Sequence, residues 1–184
     1  MLVDLGYLTA ETEPAPTPAG MLLTDIYTEL DLVTAEAMRT GVFDSLSSAE
    51  LAGVCAALTY ETRGTEQRAT AISSAAIRQA LLDLHRSWAR VTAAEHAHGI
   101  KLMRQIDPGL VTAIFRWASG ASLVQVLQLC ELLPGDFVRW CRQTIDLLTH
   151  IGHSASVDST LRQRALTASS LIDRDIVALS GVNG

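Results

Sequence analysis

Residues 115–151 read FRWASGASLVQVLQLCELLPGDFVRWCRQTIDLLTHI. The second half of this stretch, from Pro134 onward, predicts one long helix. At 100° per residue, Arg139, Arg142, Gln143, Asp146, His150 and His153 all fall within about 100° of arc. Val138, Cys141, Ile145, Leu148, Phe137, Ile151, Trp140 and Leu147 take the rest of the circumference. A surface helix normally shows the opposite balance, with a modest apolar stripe and a broad wet face. The pattern therefore places this helix centrally in a bundle. It presents one line of arginine, amide, carboxylate and imidazole, which needs an aqueous channel or a polar partner because uncompensated buried charge is costly.

Helical signals recur on both sides. Upstream, Leu22, Leu23, Ile26, Tyr27 and Leu30 follow helical spacing, and Leu32, Val33, Ala37 and Met38 continue it, straight on or after a kink, towards Gly41 as a stop. Residues 47–50 (SSAE) form a capping box ahead of Leu51, Val54, Cys55 and Leu58. Arg63-Gly64-Thr65 ends that helix. A long helix is expected over residues 70–101, with a near-heptad seam of Ile77, Leu81, Leu84, Trp88 and Val91. Asp107-Pro108 and Ser122 open two shorter helices. A final helix carries Leu161, Ala165, Ala168, Ile172, Ile176 and Leu179 on one face. No strand-like alternation persists, and no repeat is visible. Pro14, Pro16 and Pro18 make residues 9–19 a loop. The fold class expected is all-α.

Composition narrows the function classes. At 184 residues, 48% hydrophobic but only 5% aromatic, the chain suits one domain with a core of Leu, Ala, Ile and Val. No apolar run approaches the roughly 18 residues of a membrane span. The first residues lack the basic start and apolar stretch of a secretion signal, so a cytoplasmic location is expected by default. Cys55, Cys130 and Cys141 are few, scattered and without a C-x-x-C, which suits small buried hydrophobes rather than a disulfide or zinc framework. His150 and His153 are spaced i, i+3, and His96 and His98 lie close together, but no Glu-x-x-His accompanies them, so no metal site is expected.

Charge is unevenly distributed. The net charge is −6, yet residues 1–61 hold ten acids against one base, whereas residues 62–184 hold thirteen bases against ten acids. The basic excess lies in the part that bears the polar stripe. Ordinary solvated charge accounts for this as well as a nucleic-acid surface does. Thirteen of the fourteen bases are arginine, which suits bidentate phosphate contact and stacking.

Several runs together resemble a known family. They are the WASGAS run (residues 117–122), the LPGDFVR run (residues 133–139) with Arg142, the opening helices in residues 20–39 and 40–63, and the closing DRDIV run (residues 173–177). In this order they resemble the DSHCT C-terminal helical domain of superkiller-type and exosome-associated DExH-box helicases, HelY-like bacterial helicases among them. The resemblance implies a bundle of about seven helices with a long helical hairpin region. It implies a remnant of a winged-helix module over residues 1–19 and the helical domain proper over residues 20–184. It further implies an accessory domain that packs on the helicase motor domains and guides single-stranded RNA or DNA through a channel. By this resemblance Arg139 and Arg142 contact phosphates or bases, and Gln143, Asp146 and His150 supply further nucleic-acid contacts. Where the family often has a second arginine this chain has Gln143, and where it often has an acid this chain has Ile145.

No catalytic residue is expected in the chain itself. Its one lysine, Lys101, sits between Ile100 and Leu102 with no glycine-rich phosphate loop, and no Asp-Glu-x-His or Asp-Glu-x-Asp run follows. ATP and magnesium would belong to motor domains on a parent polypeptide. Two readings remain open at this level. One is a strand-guiding domain. The other is a protein-interaction module that docks the motor or a nuclease complex without touching nucleic acid, which the acidic first third favours.

Overall fold

A computed structural model describes residues 1–62, 71–101 and 103–180. The described residues form an all-α bundle of nine α-helices and one 3-10 turn, with a single isolated bridge between Leu8 and Pro16. In chain order the helices are α1 (Pro18–Thr24), α2 (Asp31–Arg39), α3 (Ser48–Thr59), α4 (Ala75–Ala97), the 3-10 turn Pro108–Leu110, α5 (Val111–Ala118), α6 (Leu123–Cys130), α7 (Pro134–His153), α8 (Ser159–Ile172) and α9 (Asp175–Ser180).

The buried axis is α3 rather than α7. Leu51 to Leu58 are buried without interruption, and a helix that is hydrophobic all round belongs inside. Its small residues let neighbours approach closely. A Cβ on Gly53 would sit 3.0 Å from Phe115 Cβ and 3.0 Å from the Val111 carbonyl oxygen, so α5 crosses α3 at that glycine. α8, α7 and α4 pack on the other sides of α3. The expected capping box holds, with the Glu50 carboxylate accepting from the Ser47 backbone N–H at 2.9 Å.

The first helical run, left open to a kink, is fully interrupted, and the closing helix expected as continuous is broken. Residues 25–30 separate α1 from α2, and there Asp25 accepts a 2.7 Å hydrogen bond from the Ser154 hydroxyl at the end of α7. The break buries Ile26 and Leu30 but turns Tyr27 out, leaving it 76% exposed. The closing helix likewise divides at residues 173–174 into α8 and α9, with Asp175 at φ 49°. The first helix starts earlier than expected, inside the proline-bearing stretch. Thr17 caps it and Pro18 takes a first-turn position, where its missing N–H costs nothing.

The long helix α4 runs from its Ser74 cap to Ala97, and among the described residues it is the one helix of the region expected as a hairpin. The break expected at residues 63–65 lies outside the described residues. Residues 1–8 are tied to the body through Tyr7, whose hydroxyl donates to the buried Glu36 carboxylate at 3.1 Å. Arg39 and Arg90 reach the same carboxylate at 2.7 and 2.6 Å, joining the first residues to α2 and α4.

Candidate nucleic-acid interface

The stripe helix α7 occupies the bounds its sequence predicts. Pro134 opens it, and nine of its residues, from Phe137 to Gly152, face the bundle. Between them the polar stripe reaches the surface: Gln143 and Asp146 are exposed, whereas Arg139, Arg142 and His150 are partly covered.

The five expected contact residues divide into two groups. Arg142 turns towards the end of the chain. Its guanidinium pairs with Asp173 at 3.2 Å and donates to the Ser180 hydroxyl at 3.3 Å, to the Ala178 carbonyl at 3.3 Å and to the Val177 carbonyl. It therefore caps the exposed carbonyls of α9, a helix end that needs donors or cations. Arg139 stays nearer the open face. Among the described residues it makes a long contact to Asp136, 3.5 Å, and its guanidinium carbon lies 4.4 Å from the centre of the Trp140 ring.

Gln143 and Asp146 border a cleft of about 310 Å³, and His150 lies outside its lining, against Tyr27. One wall is α7, with Trp140, Gln143, Asp146 and Leu147. The other is the connection between α1 and α2, with Tyr27, Thr28 and Glu29, and the ends of the cleft bring in Thr59, Glu61 and Arg104. The Tyr27 ring stands edge-on to His150, centroids 5.5 Å apart. His150 Nδ1 is buried beside it without a hydrogen-bond partner among the described residues. At the floor, Trp140 meets Tyr60 edge-to-face at 5.0 Å. Trp140 is thus a cleft wall next to Arg139 rather than a residue opposite the charged stripe.

The electrostatics of the cleft are acidic. Arg104 is the one basic residue lining it among the described residues, and four of its five N–H donors are engaged. It bonds Glu29 at 2.9 Å, the Leu58 carbonyl at 2.7 Å and the Tyr60 and Gln105 carbonyls at 3.1 Å each. Against it stand three carboxylates, Glu29, Glu61 and Asp146. The charge inside the cleft accordingly disfavours a phosphate there.

Tyr27, Glu29, Glu61 and Arg104 were not legible as site residues. Tyr27 fits the apolar spacing of a continuous helix, and only the break at residues 25–30 turns it outward. Arg104 follows α4 in an irregular segment, where no periodicity assigns a face. Trp88 and Trp117, expected in the core, are there by different routes. Trp117 is fully buried, and Trp88 is partly buried with its indole N–H donating to the Arg104 carbonyl at 2.9 Å.

Other chemistry finds little support in the geometry. Burial pushes the thiols of Cys55 and Cys141 well above their ordinary value, so neither is a poised nucleophile. Among the described residues no three His, Cys, Asp or Glu side chains gather in a metal-holding group. No helix of the described residues is long and apolar enough to cross a membrane.

A family model described as the DSHCT (NUC185) domain matches residues 13–180. A probable helicase, HelY, of Mycobacterium tuberculosis is 40% identical over 179 residues, covering 91% of this chain and 20% of that protein. A probable helicase HelY of Mycobacterium leprae is 39% identical over 191 residues, covering 97% of this chain and 21% of that protein. A chloroplastic DExH-box ATP-dependent RNA helicase of Arabidopsis thaliana is 27% identical over 163 residues, covering 85% of this chain and 14% of that protein. The chain spans about a fifth of the length of its mycobacterial relatives.

Proposed function

The chain belongs to the DSHCT domain family, and from that premise we propose that it is the accessory helical domain of an ATP-dependent helicase, guiding single-stranded RNA or DNA along α7. ATP hydrolysis, with its magnesium, would be the work of motor domains on the same or an associated polypeptide. The observation that carries the reading is the exposed edge of α7, where Gln143 and Asp146 border a cleft walled by Tyr27 and Trp140, with Arg139 stacked on Trp140 beside it. Arginine at a rim and aromatic walls beside it are the elements that hold a strand without reading its sequence. Arg142, bound to Asp173 and to the last carbonyls of α9, supports this edge by holding α9 in place.

A second reading keeps the domain as a docking module for the motor or a nuclease complex. The acidic first third and the acidic cleft favour it, because a polyanion gains little from either. Photocrosslinking separates the two. In the full-length helicase, single-stranded RNA carrying 4-thiouridine is expected to crosslink to peptides from residues 134–153. Arg139→Ala is expected to weaken strand affinity about three- to tenfold at ~150 mM salt. Crosslinks confined to the motor, with unchanged affinity in the variant, would rule out the guiding role and leave docking.

A further inference from the structure

We infer that the cleft between residues 25–30 and α7 is a pocket for a single nucleobase that prefers guanine, a step that rests on the strand-guiding reading above. Its volume, about 310 Å³, lies at the low end of the ~300–1,000 Å³ of small-ligand pockets, so it suits one planar ring system rather than a run of nucleotides. Tyr27 offers an aromatic ring that is 76% exposed at the mouth. A large apolar ring held open to solvent, in a T-shaped contact with His150, is a stacking surface for a splayed-out base.

The polar groups decide which base. Glu61 and Asp146 are exposed and Glu29 already holds Arg104, so the cleft is rich in hydrogen-bond acceptors. Carboxylates accept and never donate when ionised. Guanine presents two adjacent donors on its Watson–Crick edge, N1–H and the N2 amine, which match the two oxygens of one carboxylate. Uracil has a single N3–H between two carbonyls, and cytosine and adenine place a ring acceptor beside their amine. Each of these sets a lone pair against a carboxylate. The exposed Gln143 amide supplies a donor for the guanine O6. The charge pattern also fits a base rather than a phosphate. The acids lie inside, and Arg139, stacked on the cleft-wall residue Trp140 at 4.4 Å, stands at the rim to meet the sugar-phosphate backbone.

The test uses the full-length helicase and fluorescence anisotropy on uridine 12-mers that carry guanine, inosine or adenine at two central positions. The guanine strand is expected to bind about five- to tenfold more tightly than all-uridine. Inosine keeps N1–H but lacks the N2 amine, and should lose most of that gain. Asp146→Asn with Glu61→Gln, both exposed and near-isosteric, should bring the guanine-to-uridine ratio close to one. Equal affinity for all four strands would overturn the guanine pocket while leaving strand guiding intact. Failure to bind any strand would overturn both.

Discussion

The guanidinium of Arg174 lies over the ring of Trp117, 3.5 Å from its centroid. The two residues are 57 positions apart and belong to different runs of the family resemblance, WASGAS and DRDIV. The same guanidinium donates to the Trp117 carbonyl at 2.9 Å and the Ala121 carbonyl at 2.6 Å, capping the end of α5. The Trp117 indole N–H donates in return to the Ile172 carbonyl at 2.9 Å, at the end of α8. Arg174 breaks the closing helix because its side chain is needed there. Asp173 beside it holds Arg142. These two runs and Arg142 form one latch that fixes α7 against α5, α8 and α9.

Replacing Arg174 tests this latch. Arg174→Ala removes a ring contact worth about 0.5–2 kcal/mol and two charge-assisted bonds to carbonyls. A net loss of about 2–3 kcal/mol is expected. Lysine cannot stack flat and reach both carbonyls together, so Arg174→Lys should recover less than half. For a domain of this size the alanine change lowers Tm by about 5–10 °C. Thermal unfolding followed by circular dichroism measures it, and an unchanged Tm would refute the capping role.

Arg139 and Arg142 should separate in a way their shared stripe does not suggest. Arg142→Ala unties Asp173 and the last carbonyls of α9, costing about 1–2 kcal/mol of stability. Amide exchange over residues 175–180 should rise with it. Arg139→Ala touches a long ion pair to Asp136 and a partly exposed ring contact, so its stability should stay within about 0.5 kcal/mol of the parent. Its loss should appear in strand affinity instead. Matching losses of stability in both variants would sink this division.

Acid should loosen the attachment of the first residues. Burial alone raises the Glu36 pKa, but the hydrogen bonds and charge of Arg39, the Tyr7 hydroxyl and the charge of Arg90 together outweigh it. The pKa therefore falls below its ordinary 4.5. A carboxylate with a depressed folded pKa contributes stability that is present above its unfolded value and lost as pH drops through the folded one. Stability should hold from neutral pH to about 4.5 and decline below. Glu36→Gln leaves two partly exposed arginines without their carboxylate and should cost about 1–3 kcal/mol at pH 7, with a flatter acid limb. Urea titrations at pH 7, 5 and 3.5 check both.

What the sequence made legible follows periodicity and capping chemistry. The bounds of α7, the Ser47–Glu50 box and the Asp107 and Ser122 caps all depend on neighbours in the chain. The breaks at residues 25–30 and 173–174 do not. Both lie inside apolar helical spacing, and at both a side chain is held by a distant partner: Ser154 bonds the Asp25 carboxylate, and Arg174 lies over Trp117. The site was half visible for the same reason. The α7 wall of the cleft could be read from a helical wheel, but the wall bearing Tyr27 exists only because of the first break. The wheel also cannot show that Arg142, at one edge of the stripe, meets α9.

Gly20 gives a sharper test of how residues 1–8 are held. It lies in the first turn of α1 and is buried. A Cβ there would land on the carbonyl oxygen of Tyr7 and 3.3 Å from Pro16 Cβ. That carbonyl already accepts from the Thr17 N–H at 3.0 Å, so backbone rather than a flexible side chain must yield. In an open helix, Gly→Ala stabilises by about 1 kcal/mol. Here overpacking, typically about 1–3 kcal/mol and more when backbone must move, should exceed that gain. Gly20→Ala should thus be net destabilising. It should also displace Tyr7 from Glu36, so that amide exchange rises over residues 2–8 and the acid limb of stability shifts with it. A stabilised Gly20→Ala protein with native exchange over those residues would mean that the first residues do not pack on α1 in this way.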